Sequence, residues 1–299
     1  MTNAQPTILA LGEILWDLLP VGEKQLGGAP TNFAYHAHAL GAHARIVSAV
    51  GADALGAEIL ARLDGLGTDR SLVAVDAEHP TGTVTVTLDR HGSPRYVIHE
   101  GVAWDFTPAT AELMVAAASV DAFCFGTLGQ RSPVSRQTIR QALACARPGA
   151  LRVCDINFRQ SLFERACVET SLTLCNVVKL NDEELPVLAA MLELPSPTAD
   201  EPATLHALRE RFNLRLVALT RGAKGSTLLS ATERSDGMAE TVSVVDTIGA
   251  GDAFTAAMTV GLLRGWDLPR LHRHASRLAA YVCSQAGGTP TVPREILAG

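Results

Sequence analysis

Short apolar runs of strand length alternate with helical patterns along most of this chain, and that rhythm restricts the fold more than any other feature of the sequence. Strands are expected at Thr7–Leu11, Ala44–Val50, Asp121–Phe125, Leu151–Asp155, Val177–Leu180 and Leu216–Thr220. Helical patterns at Thr31–Leu40, Glu58–Leu66, Pro108–Ala118, Ser132–Ala146, Asp182–Leu192 and Ala203–Phe212 separate them. Alternation of this kind predicts an α/β fold, a mostly parallel central sheet with helices on both faces. An apolar share of 47% with only 5% aromatics suits Ala-rich helices packed closely on a buried sheet. One region breaks the rhythm. Thr81–Leu88 alternates Thr with Val or Leu and, after a turn-like Asp-Arg-His-Gly-Ser, is followed by Pro94–His99. That pattern predicts a half-exposed β-hairpin, a candidate lid inserted at about residues 81–104. No internal repeat or Pro-rich linker interrupts the 299 residues, so a single domain with that lid is expected.

The formal net charge is −6, with no dense run of Lys or Arg. This argues against a nucleic-acid partner, whose phosphates need a basic stripe. An acidic chain that binds an anion must supply positive potential locally. Cys124, Cys145, Cys154, Cys167, Cys175 and Cys283 form no C-x-x-C pair, the pattern of buried free thiols in a reducing compartment. Met1–Pro6 lacks a basic residue ahead of an apolar core, and no apolar run is long enough to span a bilayer. Neither a signal peptide nor a membrane role is expected, and the expected location is cytoplasmic. His36, His38, His43, His91 and His99 show no metal-ligand spacing and are read as helix, lid or surface residues.

Val244–Met258, VVDTIGAGDAFTAAM, carries the most chemistry. Val244 and Val245 are expected to end a strand, and Gly249-Ala250-Gly251 precedes an Ala-rich helix. Glycines let backbone N–H groups approach an anion, and a helix N-terminus adds its positive dipole. Asp252 would lie in the first helical turn beside that cradle. It can serve as a helix cap, or it can take a proton from an attacking hydroxyl while the amides hold a transferring phosphoryl group. Alone, the residue leaves both open.

The whole D-T-x-G-A-G-D-x-F string, Asp246 to Phe254, resembles the second signature of the ribokinase-like (phosphofructokinase-B type) carbohydrate kinases. The segment Gly27-Gly28-Ala29-Pro30-Thr31-Asn32 is similar to the family's first signature. It is flanked by Gly12–Asp17 upstream and Val50–Asp53 downstream, and its G-G-A-P-x-N form resembles the fructokinase branch. The resemblance implies that Asp17, Gly27, Gly28 and Asn32 hold sugar hydroxyls and that Asp252 is the base. It implies an anion cradle of Gly249, Ala250 and Gly251. Glu13 and Asp53 are read as fold-stabilising or surface carboxylates.

Cys154–Phe163 resembles the family's D-x-N-x-R-x-x-L stretch, which implies a phosphate clamp at Arg159. Phe163 stands where the family often has Trp. Lys179–Glu184 matches an N-x-x-E element, implying that Asn181 and Glu184 orient waters around ATP–Mg2+. Leu219–Gly225 resembles the T-x-G-x-x-G loop that contacts ATP through Thr220, Gly222 and Gly225. Ala279–Cys283 and Gly287–Gly288 fall where relatives close the adenine pocket, with Cys283 on its wall. Family members often hold K+ through an Asp equivalent to Asp246 and backbone carbonyls, here that of Ile248. The competing reading makes Asp246 a turn residue.

These expectations describe an ATP-dependent sugar kinase, with fructose as acceptor and a homodimer paired through the lid. Arg95–Asp105, RYVIHEGVAWD, departs from the fructokinase F-Y-R-x-x-x-A-D stretch, which keeps ribose, a nucleoside or a 2-keto-3-deoxy sugar acid in play. The last would need an extra cation, from Arg95 or Arg131. A sugar-binding regulator without catalysis and a dinucleotide-dependent enzyme are further alternatives. The first has no need of Asp252, the cradle and Asn181/Glu184 together, and the second lacks a G-x-G-x-x-G fingerprint.

Overall fold

The computed structural model describes residues 5–19, 22–88 and 94–298. The first half of the chain runs β1 (Thr7–Leu11), β2 (Leu15–Leu18), β3 (Lys24–Gly27), α1 (Ala29–Ala39), β4 (His43–Gly51), α2 (Ala54–Gly65), β5 (Asp69–Asp76), β6 (Thr83–Leu88) and β7 (Pro94–Ile98). The middle adds α3 (Ala111–Ala117), β8 (Ala122–Gly126), α4 (Pro133–Ala144), β9 (Leu151–Asp155), α5 (Arg165–Leu174), β10 (Val177–Asn181), α6 (Glu184–Leu192) and α7 (Pro197–Arg211). The last third holds β11 (Leu216–Thr220), β12 (Ser226–Ser230), β13 (Arg234–Gly237), α8 (Ala250–Leu263), α9 (Leu268–Cys283) and α10 (Arg294–Leu297).

Nine strands form the large sheet in the order β13-β12-β11-β10-β9-β8-β1-β4-β5. From β11 to β5 every pairing is parallel, and only the β11–β12 and β12–β13 pairings are antiparallel. Side chains of β1 alternate between the two faces. Ile8 and Ala10 join Phe33 and Ala34 of α1 and Ala253, Ala256 and Ala257 of α8. Leu9 and Leu11 join Leu113 of α3 and Ile139 and Leu143 of α4. All are within a few per cent of full burial, and each large aliphatic contributes about 1.5–3 kcal/mol on leaving water. The small Ala faces of α1 and α8 bring the N-terminal turns of both helices close to the carboxyl ends of the strands.

Strand order reverses at β1, which has β4 on one side and β8 on the other. Ligand crevices of open α/β sheets lie outside the carboxyl ends of the strands at such a point. Glu13 follows β1 there, the loop from Ile156 to Gln160 follows β9, and Asn181 ends β10.

Several expectations need correction. Val244 and Val245 do not end a strand: they are 62% and 64% exposed, and the backbone is held by Cys283 O, which accepts from Val245 N and Asp246 N, not by a neighbouring strand. Helix α2 begins at Ala54 rather than Glu58, because Asp53 caps it through Gly56 N at 2.8 Å. Helix α6 begins at Glu184, so Asn181 and Glu184 are not one helical turn apart. The hairpin of β6 and β7 does form, but it is half of a four-stranded sheet, β3-β2-β6-β7. Its turn residues, His91 among them, lie outside the described residues. Asp53 ties this second sheet down, accepting from Thr81 N and Thr81 Oγ1 as well as from α2.

Candidate active site

The α8 N-terminus is shaped to receive an anion. Gly249 adopts φ +77°, and a Cβ there would stand 2.6 Å from Gly288 Cα, so a side chain is excluded by conformation and by space. No side chain caps the helix, which leaves first-turn N–H groups for a ligand. Beside them, the Nζ of Lys179 would lie 3.0 Å from a Cβ at Gly251. Lys179 points from the middle of β10 and pairs with Asp155 Oδ1 at 3.1 Å, both side chains under 10% exposed. Burial alone would lower the Lys179 pKa, but Asp155, Glu184 and Asp252 more than offset it, so the ammonium is held charged. This is the local positive potential that a chain of net charge −6 requires.

Asp252 sits in the first turn of α8, where its Oδ2 accepts from Asn32 Nδ2 at 2.8 Å. Burial, then the charge of Asp155, pushes its carboxyl up to about 6, against the Asn32 hydrogen bond and the charges of Lys179 and Arg159. A base with that proton affinity is ionised at neutral pH and is a stronger acceptor than an ordinary Asp. Thr255 Oγ1, one turn on, donates to Asp155 Oδ2 at 3.1 Å. Asn32 Oδ1 is buried without a partner among the described residues, an acceptor free for a substrate hydroxyl.

The second sheet faces this point. Asp17 lies on β2, and Gly27 ends β3 so close that a Cβ would come within 2.5 Å of Asp17 Oδ2. Burial raises the Asp17 carboxyl to about 6, with Arg159 pulling the other way. Gly28 has φ +111°, and a Cβ there would strike the Glu13 carbonyl oxygen. Arg159 itself is exposed, and its charge acts on Glu13, Asp17 and Asp252 alike. The next residue, Gln160, donates from Nε2 to Tyr96 O at 2.5 Å, tying this loop to β7.

Asn181 and Glu184 hold each other: Asn181 Oδ1 accepts from Glu184 N, and Glu184 Oε2 accepts from Asn181 N, both at 2.8 Å. Glu184 Oε1 also takes Phe158 N at 3.0 Å. Thr220 ends β11, and the turn after it carries Gly222 at φ +53° and Gly225 at φ +88°, where a Cβ would strike Gly237 O. Next to that contact, a groove of about 710 Å³ runs between β13 and α9, lined in part by Gly237, Met238, Arg273 and Ser276. Cys283, half-buried at the end of α9, has its thiol raised by burial and by Asp246. Asp246 accepts from Ile248 N at 3.0 Å through one oxygen and from Gly287 N at 3.1 Å through the other.

The sequence-derived residues therefore gather along one edge of the sheet: Asp17, Gly27, Gly28, Asn32, Arg159 and Asp252 on one side of the α8 turn, Asn181, Thr220, Gly222, Gly225 and Cys283 on the other. Two were missed, Asp155 and Lys179. Of the two readings of Glu13, the fold-stabilising one holds: it is 3% exposed and accepts from Ala29 N at the start of α1. Asp155 and Lys179 form a buried ion pair, and a Lys inside the apolar run Val177–Leu180 was the signal that could have exposed it. Arg131 is committed to Asp105, which its Nε and Nη2 grip at 2.8 and 2.9 Å while its guanidinium stacks 3.9 Å above Trp104; its Nη1 has no partner among the described residues. The side chain of Arg95 lies outside the described residues.

Fold and edge together define a class: a ribokinase-like α/β protein with a second sheet over a glycine-turn anion site, built for phosphoryl transfer to a small molecule. The profile of pfkB family carbohydrate kinases matches residues 19–295, and the chain belongs to that family. It is 31% identical to a fructokinase of Klebsiella pneumoniae over 85% of this chain and 84% of that one. Among solved structures, an uncharacterized sugar kinase from Pyrococcus horikoshii is 27% identical with a TM-score of 0.82, covering 98% of this chain and 96% of that chain. Fructokinase from Xylella fastidiosa, solved with bound ATP, shares the fold at 22% identity and a TM-score of 0.87, covering 98% and 97%. No helix among the described residues is long and apolar enough to cross a membrane.

Proposed function

We propose that this carbohydrate kinase transfers the γ-phosphoryl group of ATP to a sugar hydroxyl, with fructose the best-supported acceptor and Asp252 the base. The observation that carries the reading is the placement of Asp252. It is hydrogen-bonded to Asn32, faces the sheet that bears Asp17, and shares a helical turn with the uncapped amides of α8. Fructose rests on the fructokinase relatives. The commitment of Arg131 to Asp105 weighs against a sugar acid.

Asp17, Gly28 and Asn32 would orient the sugar, and Asp252 would accept the proton of the attacking hydroxyl. The amides of Gly251 and Asp252, with Lys179 and Arg159, would stabilise charge on the transferring group, the main catalytic demand of phosphoryl transfer. Mg2+ held there would supply charge neutralisation for the transferring phosphate. Asn181 and Glu184 are oxygen donors fixed by their mutual hydrogen bonds, which suits them to hold its waters. The loop at Gly222–Gly225 and the groove beside α9 would take the nucleotide. Tyr96 and Val97 of β7 are 53% and 50% exposed, and a second copy pairing through this sheet would cover them. The protein would act in the cytoplasm. The test is ADP release over hexoses, pentoses, nucleosides and sugar acids: turnover selective for fructose supports the reading, and selectivity for a sugar acid would replace the acceptor.

A further inference from the structure

His36 has no part in the chemistry above, and packing alone does not explain it. It lies fully buried in α1, a helix that also buries Phe33, Ala34 and Ala37. Its Nε2 is 2.9 Å from Gly288 O. A carbonyl only accepts, so Nε2 carries the proton and donates. Nδ1 is then a bare acceptor, buried without a partner among the described residues. Burial holds the ring neutral, lowering it to about 4 against the pull of the Gly288 hydrogen bond. A polar ring with half of its hydrogen bonding unmet is costlier in an apolar interior than an aliphatic side chain of similar size. The bond to Gly288 is what this His does and Leu could not.

Gly288 lies where two parts of the site meet. A Cβ on Gly249 would stand 2.7 Å from Gly288 O, the oxygen that His36 holds, so this carbonyl backs the anion turn directly. A Cβ on Gly288 would in turn come 2.8 Å from Asn32 Oδ1 and 2.9 Å from Asn32 Nδ2. Asn32 precedes His36 by four residues on α1, so the two project from one face of the helix. The same Nδ2 donates to Asp252 Oδ2. The loop has other ties, but they fall on other residues: Gly287 N donates to Asp246 Oδ2, and Tyr35 Oη donates to Pro290 O at 2.9 Å.

We propose that His36 is a positioning residue for phosphoryl transfer: its Nε2–H fixes the Gly288 carbonyl, and Gly288 holds the Gly249 turn and the Asn32 amide at their spacing. The inference rests on the kinase reading above. On that reading the Gly249 turn places the phosphoryl group and Asn32 places the sugar hydroxyl beside Asp252, so Gly288 sets how far apart the two reactants stand. Loss of the donor would leave a buried carbonyl unpaired and free to shift both neighbours. A displacement of about 1 Å between reactants costs about 10²-fold in rate.

The experiment measures ADP release and melting temperature for wild type, His36→Leu, His36→Gln and Tyr35→Phe over a range of ATP and sugar concentrations. Leu fills the space of the ring without a donor, whereas Gln can place its Nε2–H on Gly288 O. Phe keeps the ring that packs edge-on against His36, 5.1 Å between centroids, and removes only the bond to Pro290 O. His36→Leu should lower kcat about 10²-fold with smaller changes in both KM values, since misplaced reactants still bind. His36→Gln should recover about tenfold of that loss or more, whatever its melting temperature, and Tyr35→Phe should keep the wild-type kcat. Normal kcat in folded His36→Leu overturns the proposal and leaves His36 a packing residue. An equal loss in His36→Gln overturns it too, because the donor is then not what matters. The same loss in Tyr35→Phe does so by tracing the effect to the loop as a whole. If His36→Leu does not fold, His36→Met, flexible and also without an N–H donor, is read in its place. A wild type that phosphorylates no sugar of any class overturns the kinase reading itself, and the role of His36 with it.

Discussion

Replacing Asp252 by Asn should destroy turnover and raise stability at once. Burial and Asp155 lift the Asp252 carboxyl from 3.8 to about 6, so ionising it opposes folding. At about 1.4 kcal/mol per pKa unit, this reaches about 3 kcal/mol at neutral pH, an upper bound for a partly buried group. The sign follows from the direction of the shift. Below the unfolded value the carboxyl is protonated in both states and imposes no penalty; the penalty grows as pH rises through the folded value. Asn carries no charge, and its amide oxygen can still accept from Asn32 Nδ2. Loss of a general base lowers kcat by about 10²–10⁴. Thermal melts at pH 4 and pH 8, read beside ADP release, test both halves. The variant should melt a few degrees above wild type at pH 8 and near it at pH 4. A variant that melts earlier at pH 8, or one that turns over normally, refutes the reasoning.

Arg159→Ala should lower kcat/KM by about 10²-fold or more with little change in melting temperature, since on the proposed mechanism its exposed guanidinium would contribute to transition-state charge rather than packing; early melting with intact kinetics would make it structural. Shortening the β6–β7 hairpin should raise the sugar KM strongly and the ATP KM weakly, and sedimentation should show whether a dimer is lost with it; equal effects on both KM values would end the lid assignment. Asp246 accepts from Ile248 N and Gly287 N through its two oxygens, the bonds of a turn residue, and in that role alone it should leave rates equal in K+ and in a bulky organic cation at matched ionic strength. K+ activation that disappears in Asp246→Ala would instead assign a cation site to Asp246 and the Ile248 carbonyl.

Six strands of the large sheet were legible because they are buried and mostly apolar, as in Leu216–Thr220, whereas the part-exposed β5 and β13 and the antiparallel β12 between β11 and β13 were not. Nor were β2 and β3. They are four residues each, too short for a period, and Lys24 and Gln25 hide the second within polar sequence. The pairing of β2 with β6 is non-local, so only the folded chain shows that Asp17 sits on the covering sheet. The catalytic edge was legible where glycines and an Asp recur in a signature string. Asp155 and Lys179 were not singled out, because their pairing comes from burial and mutual charge, which no linear spacing records. Val244 and Val245 misled for the opposite reason: β-branched residues favour strands, but no partner strand lies beside them.

The most direct test of the central claim follows the phosphorus atom. Incubated with ATP, Mg2+ and fructose, the protein should yield ADP and a sugar phosphomonoester whose 31P resonance couples to carbon-bound protons of the acceptor. The same incubation with Asp252→Asn should leave ATP intact over the same time. Inorganic phosphate as the sole new signal, or no consumption of ATP with any sugar offered, would contradict the assignment of this site to phosphoryl transfer onto a carbohydrate.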